Sequence, residues 1–325
     1  MSKYSPANAF LRGWLGPLGL GTAGIGNLYR EVSDYQARAT LEAAWEEGIR
    51  YYDTAPHYGL GLAERRLGEF LADKPRHEYV VSTKVGRLLV PNPDHSGGMD
   101  DADHFAVPDT TVRLFDPSTA GVRRSLEESL TRMGLDAVDI VYLHDPDVYD
   151  LEAGIREGVP AIAALRHEGL VKRIGVGTND DAAAVSLTRQ GQIDLVMIAS
   201  RYTLLEQPAA AELLPLCVEH DVSIVAAAPF NSGLLAVPHP GPSAHYDYTE
   251  VPGEKLARAR QLAEVCDQFG VELPAAALQF PLRHEAVVSV VAGAASPEQV
   301  RQNARRRRRQ IPESLWDALD RLAAA

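Results

Sequence analysis

Short, nearly unbroken apolar runs recur along the chain, each followed by a stretch in which apolar residues return every three or four positions. The runs are "WLGPLGLGTA" (14–23), "GIRYYDTA" (48–55), "EYVVSTKV" (78–85), "AVDIVYLHD" (137–145), "VKRIGVGTN" (171–179), "IDLVMIASRY" (193–202), "VSIVAAAP" (222–229) and "VVSVVAGA" (287–294). Strands apolar on both faces belong in a parallel sheet covered on both sides. Residues 33–47, 116–134, 152–168, 180–190, 207–219, 254–269 and 297–308 read as helices. The clearest is "DPSTAGVRRSLEESLTRMG", where Asp116 and Ser118 offer caps, Val122, Leu126, Leu130 and Met133 keep helical spacing, and Gly134 can end it.

Eight strands alternating with helices predict an α/β fold, a (β/α)8 TIM barrel forming one domain over residues 1–325. The competitor is a doubly wound open sheet, which carries a glycine-rich phosphate loop leading from its first strand into a helix. Here "GLGTAGIG" (19–26) has the glycines, but no amphipathic helix begins at its end. Two connections are long, residues 86–115 after the third strand and 233–252 after the seventh. Long loops in a compact barrel are more often functional lids than spacers.

Composition narrows the function. With 46% hydrophobic and 23% charged residues the chain is ordinary globular protein. A net charge of −12 disfavours nucleic acid or an anionic membrane as partner. No apolar run reaches 18 residues, and Arg12, Pro17 and repeated Gly interrupt the N-terminal stretch, so a soluble cytoplasmic protein is expected. The two cysteines, Cys217 and Cys266, share no CxxC spacing and read as small buried hydrophobes.

In such a barrel, polar residues at the C-terminal ends of strands face the active site. Asp53 ends the second run with Tyr58 beyond it, Lys84 closes the third, and His144 closes the fourth. Singly, each has a bland reading: a cap, a strand-end charge, a polar rim. Together they have a purpose. A phenol with an ordinary pKa of about 10 is a poor acid–base group at neutral pH, a neighbouring ammonium favours its phenolate, and a carboxylate on the adjacent strand holds that ammonium. A histidine on the next strand can orient a substrate oxygen.

These residues lie in contexts that resemble the aldo-keto reductase superfamily over nearly the whole chain: "YYDTAPHYG", "VSTKVG", "SLEESLTRMGLDAVDIVYLHDPD", "RIGVGTND" and "VAGAASPEQVRQN", in that order. The resemblance implies Tyr58 as general acid–base, Lys84 and Asp53 as its tuning pair, and His144 as the substrate-orienting group. It implies a nicotinamide dinucleotide held extended across the barrel mouth, with contacts from Thr22, Asp53, Asn179, Phe230, Ser232 and Asn303. Ala199 stands where the family often has glutamine, and Ala227 where it has a stacking tyrosine. Where NADP-preferring relatives place a lysine, a hydroxyl residue and an arginine, this chain has Gly293, Ala294 and Gln299, which implies NAD, with NADP possible. The run Arg305 to Arg309 is either a solvated helix end or a substitute phosphate clamp.

Within the superfamily, "RLFDPSTAGVRRSLEESLTRMGLDAVDIVYLHDPD" and "SRYTLLEQ" resemble bacterial dehydrogenases of L-fucose and D-threo-aldoses. That implies oxidation of an aldose at C1 to its lactone. Pyridoxal 4-dehydrogenation and general aldehyde or carbonyl reduction are the alternatives within the family. The polar groups Asp94, His95, Ser96, Asp100, Asp101, Asp103 and His104 of the first long loop are candidates for binding sugar hydroxyls, or merely solvate it. Two readings lie outside it. A cofactor-binding regulatory subunit would carry an added interaction segment, and a metal-dependent barrel hydrolase would need clustered histidines. The ten histidines are scattered, so no metal is expected, and the oligomeric state is left open.

Overall fold

In a computed structural model describing residues 5–95, 97–247 and 249–324, eight parallel strands close into a barrel. They are β1 (Leu18–Gly21), β2 (Tyr51–Asp53), β3 (Val80–Val85), β4 (Ile140–His144), β5 (Arg173–Thr178), β6 (Leu195–Ala199), β7 (Ser223–Ala227) and β8 (Val287–Gly293). Each pairs with its sequence neighbours, and β1 closes on β8 with Leu18 opposite Val290. All eight runs expected from the sequence supply a strand, and the long connections follow β3 and β7 as expected. The outer helices are α1 (Asp34–Glu46), α2 (Leu62–Leu71), α3 (Thr119–Met133), α4 (Val159–His167), α5 (Asp181–Thr188), α6 (Leu213–Glu219), α7 (Gly253–Gln268) and α8 (Pro297–Arg308).

The unbroken apolar runs are explained by two cores. Tyr51, Val80, Ile140, Tyr142, Leu195, Met197, Val225, Val288 and Val291 fill the barrel interior, while the alternate strand residues pack outward against the helices. The lower end of the interior is stoppered by a helix, Pro6–Leu15, whose Leu11 and Leu15 join that inner cluster.

That helix corrects the sequence reading, which put Trp14 and Leu15 in the first strand. Ser5 caps it by accepting from Asn8 N–H at 3.2 Å, Pro6 fills its first turn, and Gly16 ends it at φ 71°. Three further helices are absent from that reading. In α2 the inward face carries charge: Glu64 is fully buried and accepts from Thr83 Oγ1 at 2.8 Å and Arg132 Nε at 2.6 Å. Arg66 is buried against the Ile25 and Val32 carbonyls, each at 2.7 Å. Helix Leu273–Gln279 is buried nearly all round and so shows no polar face. The amphipathic helix Glu313–Ala324 lies beyond the last assigned segment.

The connection after β3 is not open loop. Arg87–Pro91 pairs antiparallel with Thr111–Phe115, and Met99–Asp100 with Phe105–Pro108. The connection after β7 holds a short ribbon, His245–Tyr246 against Thr249–Glu250. The two insertions meet above the barrel at Tyr29, whose ring lies 6.0 Å from His104 and 6.1 Å from His245. Among the described residues no helix is long and apolar enough to cross a membrane.

Helices α2 and α3 approach closely at Gly68, where a Cβ would overlap the Met133 carbonyl. Gly68→Ala gains helix propensity but must push two backbones apart, costing about 1–3 kcal/mol net. Thermal unfolding should show Tm lowered by several degrees; an unchanged or raised Tm would refute the contact.

Candidate active site

The pairing of β2 with β3 sets Asp53 beside Ser82, and Lys84 follows two residues later on the same strand face. Lys84 Nζ reaches Asp53 Oδ2 at 2.7 Å, with both side chains only 3% exposed. The remaining valences are filled: Ser82 donates to Asp53 Oδ1 at 2.7 Å, and Lys84 donates to the Thr54 carbonyl at 3.0 Å. Beneath them the Tyr51 hydroxyl lies 3.0 Å from Ser82 Oγ and 3.3 Å from the Tyr142 hydroxyl. Tyr58 arches over this pair, its ring centroid 4.8 Å from Lys84 Nζ. Burial alone would lower the Lys84 pKa, but Asp53 and Tyr58, by charge and hydrogen bond, outweigh it and hold the ammonium above its ordinary value. His144, at the end of β4, sets its ring edge-on to Tyr58 at 6.3 Å. Asp53, Tyr58, Lys84 and His144 thus come together at one point of the C-terminal rim.

Around them stand groups the sequence reading did not single out. His57 lies edge-on to His144 at 5.5 Å and to Phe105 at 5.4 Å. Both histidines are held well below the usual imidazole pKa, first by burial and then by Arg87, Arg113 and Lys84. The neutral His144 has a buried Nδ1 without a hydrogen-bond partner, and its Nε2 is 3.4 Å from Asp145 Oδ2. Arg87 donates to the same Asp145 oxygen at 2.5 Å. Asp145 sits in the left-handed region at φ 38°, and burial raises its carboxyl to about 6 against the pull of Arg87. Ser82 has a sequence signal, since it lies two residues before Lys84 on an inward face. Arg87 and Arg113 have none, because only the ribbon pairing brings them to the mouth.

The polar lid groups are mostly satisfied by one another. Arg113 grips Asp100 with two hydrogen bonds of 2.7 and 2.6 Å, also pairs with Asp103 at 2.6 Å, and donates to the His57 carbonyl at 2.9 Å. His95 pairs with Asp109 at 2.5 Å. Asp94, Asp101 and His104 are exposed, and Ser96 lies outside the described residues. The insertion's side chain against the Tyr58 ring is aromatic instead: Phe105, 2% exposed, lies 6.3 Å from it.

The residues expected at the cofactor follow the opposite arc of the rim. Thr22 is fully buried, its N–H and hydroxyl both donating to the Asp53 carbonyl at 3.0 Å, so it acts as a peg for β2. Asn179 follows β5 half-buried, with its carbonyl accepting from Arg201 Nε at 2.7 Å. After β7 the chain turns through left-handed φ at Ala228, Asn231, Ser232 and Gly233. This turn leaves Ser232 half-buried, Asn231 Oδ1 buried without a partner, and Phe230 packed in the core at 9% exposure. Asn303 is buried on α8. Gln299 accepts from Ala295 N–H at 2.7 Å. The arginine run is largely engaged: Arg305 pairs with Glu298, Arg306 with Glu272 and Arg308 with Glu47, while Arg309 donates to the Gly270 carbonyl.

Cys217 and Cys266 are buried and free, their thiols pushed up to about 12 by burial. Among the described residues no group of three or more His, Cys, Asp or Glu side chains is placed to hold a metal ion.

A closed parallel barrel with a buried ammonium–carboxylate pair under a phenol at its C-terminal rim sets the class of protein to compare it with. The chain belongs to the aldo/keto reductase family, whose model matches residues 17–324. It is 50% identical to D-threo-aldose 1-dehydrogenase of Pseudomonas sp over 98% of this chain and 97% of that one. It is 40% identical to pyridoxal 4-dehydrogenase of Microbacterium luteolum, covering 93% and 92%. A holo aldo-keto reductase from Bacillus halodurans superposes with TM-score 0.73 at 25% identity, covering 94% and 91%. The protein is an oxidoreductase of this type and uses a nicotinamide cofactor. The arc from Asn179 to Asn303, with amide and hydroxyl groups and the orphaned Asn231 oxygen, fits such a group.

The depressed histidines tie stability to pH. Below about 6.5 the unfolded chain takes up protons that folded His57 and His144 refuse, so acidification favours unfolding. Asp145, raised to about 6, opposes this by binding its proton more readily when folded. His57→Gln removes one of the two refusals, so the loss of stability between pH 7 and pH 5 should shrink. Urea midpoints across that range measure it; an equal or steeper decline would count against the assignment.

Proposed function

We propose that this enzyme oxidises an aldose of the L-fucose or D-threo-aldose type at C1, giving the lactone, with NAD as cofactor. The observation that carries the reading is the contact of Tyr58 with the buried Lys84–Asp53 pair. Likeness over its full length to a protein named for that aldose reaction supports the substrate. The cofactor, when bound, supplies the nicotinamide ring that accepts the hydride from C1. Tyr58 takes the proton of the anomeric hydroxyl, as the Lys84 ammonium favours the phenolate and Asp53 keeps that ammonium in place. His144, neutral at working pH, offers one N–H to orient the reacting oxygen.

Charge balance supports an uncharged substrate. Each cation at the mouth has a carboxylate: Lys84 has Asp53, Arg87 has Asp145, and Arg113 has Asp100 and Asp103. A phosphate would find these cations already neutralised. NAD is favoured over NADP because Gly293, Ala294 and Gln299 offer no cation to a 2′-phosphate. The one arginine of the run that reaches back to the first turn of α8, Arg305, is already paired with Glu298 at 2.8 Å. Buried, unbridged cysteines suit the reducing cytoplasm.

The second reading is oxidation of pyridoxal. The rings of Phe105 and His57 beside Tyr58 suit a flat aromatic substrate, and the 40% identical relative carries that name.

Tyr58→Phe should cut turnover at least ~10²-fold while leaving fold and cofactor affinity nearly intact. Steady-state kinetics with circular dichroism and cofactor titration check this, and a variant keeping a third of the activity would sink the role. The substrate is tested with L-fucose, D-arabinose, a sugar phosphate and pyridoxal, each with NAD and with NADP, followed by nicotinamide absorbance. Lactone from the free aldoses, little turnover of the phosphate and higher kcat/KM with NAD are expected. Brisk pyridoxal oxidation with no aldose turnover would overturn the sugar assignment.

A further inference from the structure

At the end of the barrel opposite the active site is a cleft of about 380 Å³ whose walls carry three guanidiniums, Arg12, Arg283 and Arg307. They come from three separate segments: the N-terminal stopper helix, the turn before β8, and the last turn of α8. None of the eight lining residues is acidic, in a chain whose net charge is −12. Two of the arginines are positioned by the fold. Arg12 donates to the His284 carbonyl at 3.1 Å and to the Val287 carbonyl, at the foot of β8. Arg283 forks onto Asp320 with two hydrogen bonds of 2.8 Å and lies 4.8 Å from the centre of the Trp316 ring.

Arg307 differs from its neighbours in the arginine run. Its side chain makes no hydrogen bond or ion pair among the described residues, and its Nε is buried without a partner. Burial without a counter-charge depresses its pKa. A half-desolvated guanidinium with no counter-charge is costly, and in folded proteins such a donor is met by water, an ion or a ligand. The rest of the wall is apolar at Leu282 and Trp316. The volume is at the low end of small-ligand sites.

We propose that this cleft binds a small phosphate monoester, the phosphate held by the unmatched Arg307 with Arg12 beside it and a compact apolar body lying against Trp316 and Leu282. Guanidiniums contributed by separate segments suit a phosphate, whose several oxygens can bridge them, better than a carboxylate, which one guanidinium fork satisfies. The site is separate from the catalytic rim and does not rest on the aldose reading.

Isothermal titration tests it on the whole protein in a low-anion buffer. Phenyl phosphate and inorganic phosphate are the probes, with chloride at matched ionic strength as control. The wild type should bind phenyl phosphate, and inorganic phosphate more weakly. Arg307→Gln should weaken both by about tenfold or more. Trp316→Leu should weaken phenyl phosphate more than inorganic phosphate. Aldose turnover should be unchanged in Arg307→Gln. If that variant does not fold, Arg307→Lys, which keeps the charge but loses the fork, should bind with intermediate affinity. Heat no greater than that of matched chloride, or equal affinity in wild type and both Arg307 variants, overturns the site.

Discussion

The Lys84–Asp53 ion pair is the constraint on which the rest of the candidate active site depends. Two opposite charges only 3% exposed are tolerable because almost every valence around them is used: Ser82 on the carboxylate, the Thr54 carbonyl and Tyr58 on the ammonium. Such a pair contributes little net stability over an apolar substitute, yet removing one partner strands the other and costs about 3–5 kcal/mol. Its value is therefore in placement. A phenol set over a fixed ammonium needs no reorganisation to give or take a proton, which is the role proposed here for Tyr58.

The insertion after β3 extends that fixed point outward. Arg87 follows Lys84 by three residues and meets Asp145 next to His144, so one hairpin ties the strand-three lysine to the strand-four histidine. Arg113, at the other side of the same ribbon, holds the His57 carbonyl and so the loop that carries Tyr58. The insertion is thus both lid and scaffold. Burial holds the imidazole pKa of His57 and His144 down, and Arg87 and Arg113 from the insertion push it further.

Helix α8 joins the two ends of the barrel. Its first turn, capped by Ser296, stands beside the proposed dinucleotide arc, and its last turn supplies Arg307 to the cleft at the foot. The five consecutive arginines therefore do not act as one patch. Helical rotation sends them to different neighbours, and among the described residues only the one facing the cleft is left without a carboxylate or carbonyl.

The eight strands and their parallel closure were legible in the sequence because burial on both faces leaves a local mark, an unbroken apolar run. Asp53, Lys84 and His144 were legible as polar residues ending such runs. Helices α2 and Leu273–Gln279 were hidden for opposite reasons: one buries Glu64 and Arg66 and blurs its apolar stripe, the other is buried all round and shows no stripe. The lid acids were legible as polar groups, but their partners were not. Whether Asp100 and Asp103 face a sugar or an arginine depends on Arg113, 13 and 10 residues away and brought back by a ribbon. Sequence by itself determined which residues could carry charge and chemistry. Tertiary structure alone decided which charges neutralise one another and which stay unmatched, because that depends on distances of a few ångströms between segments far apart in the chain.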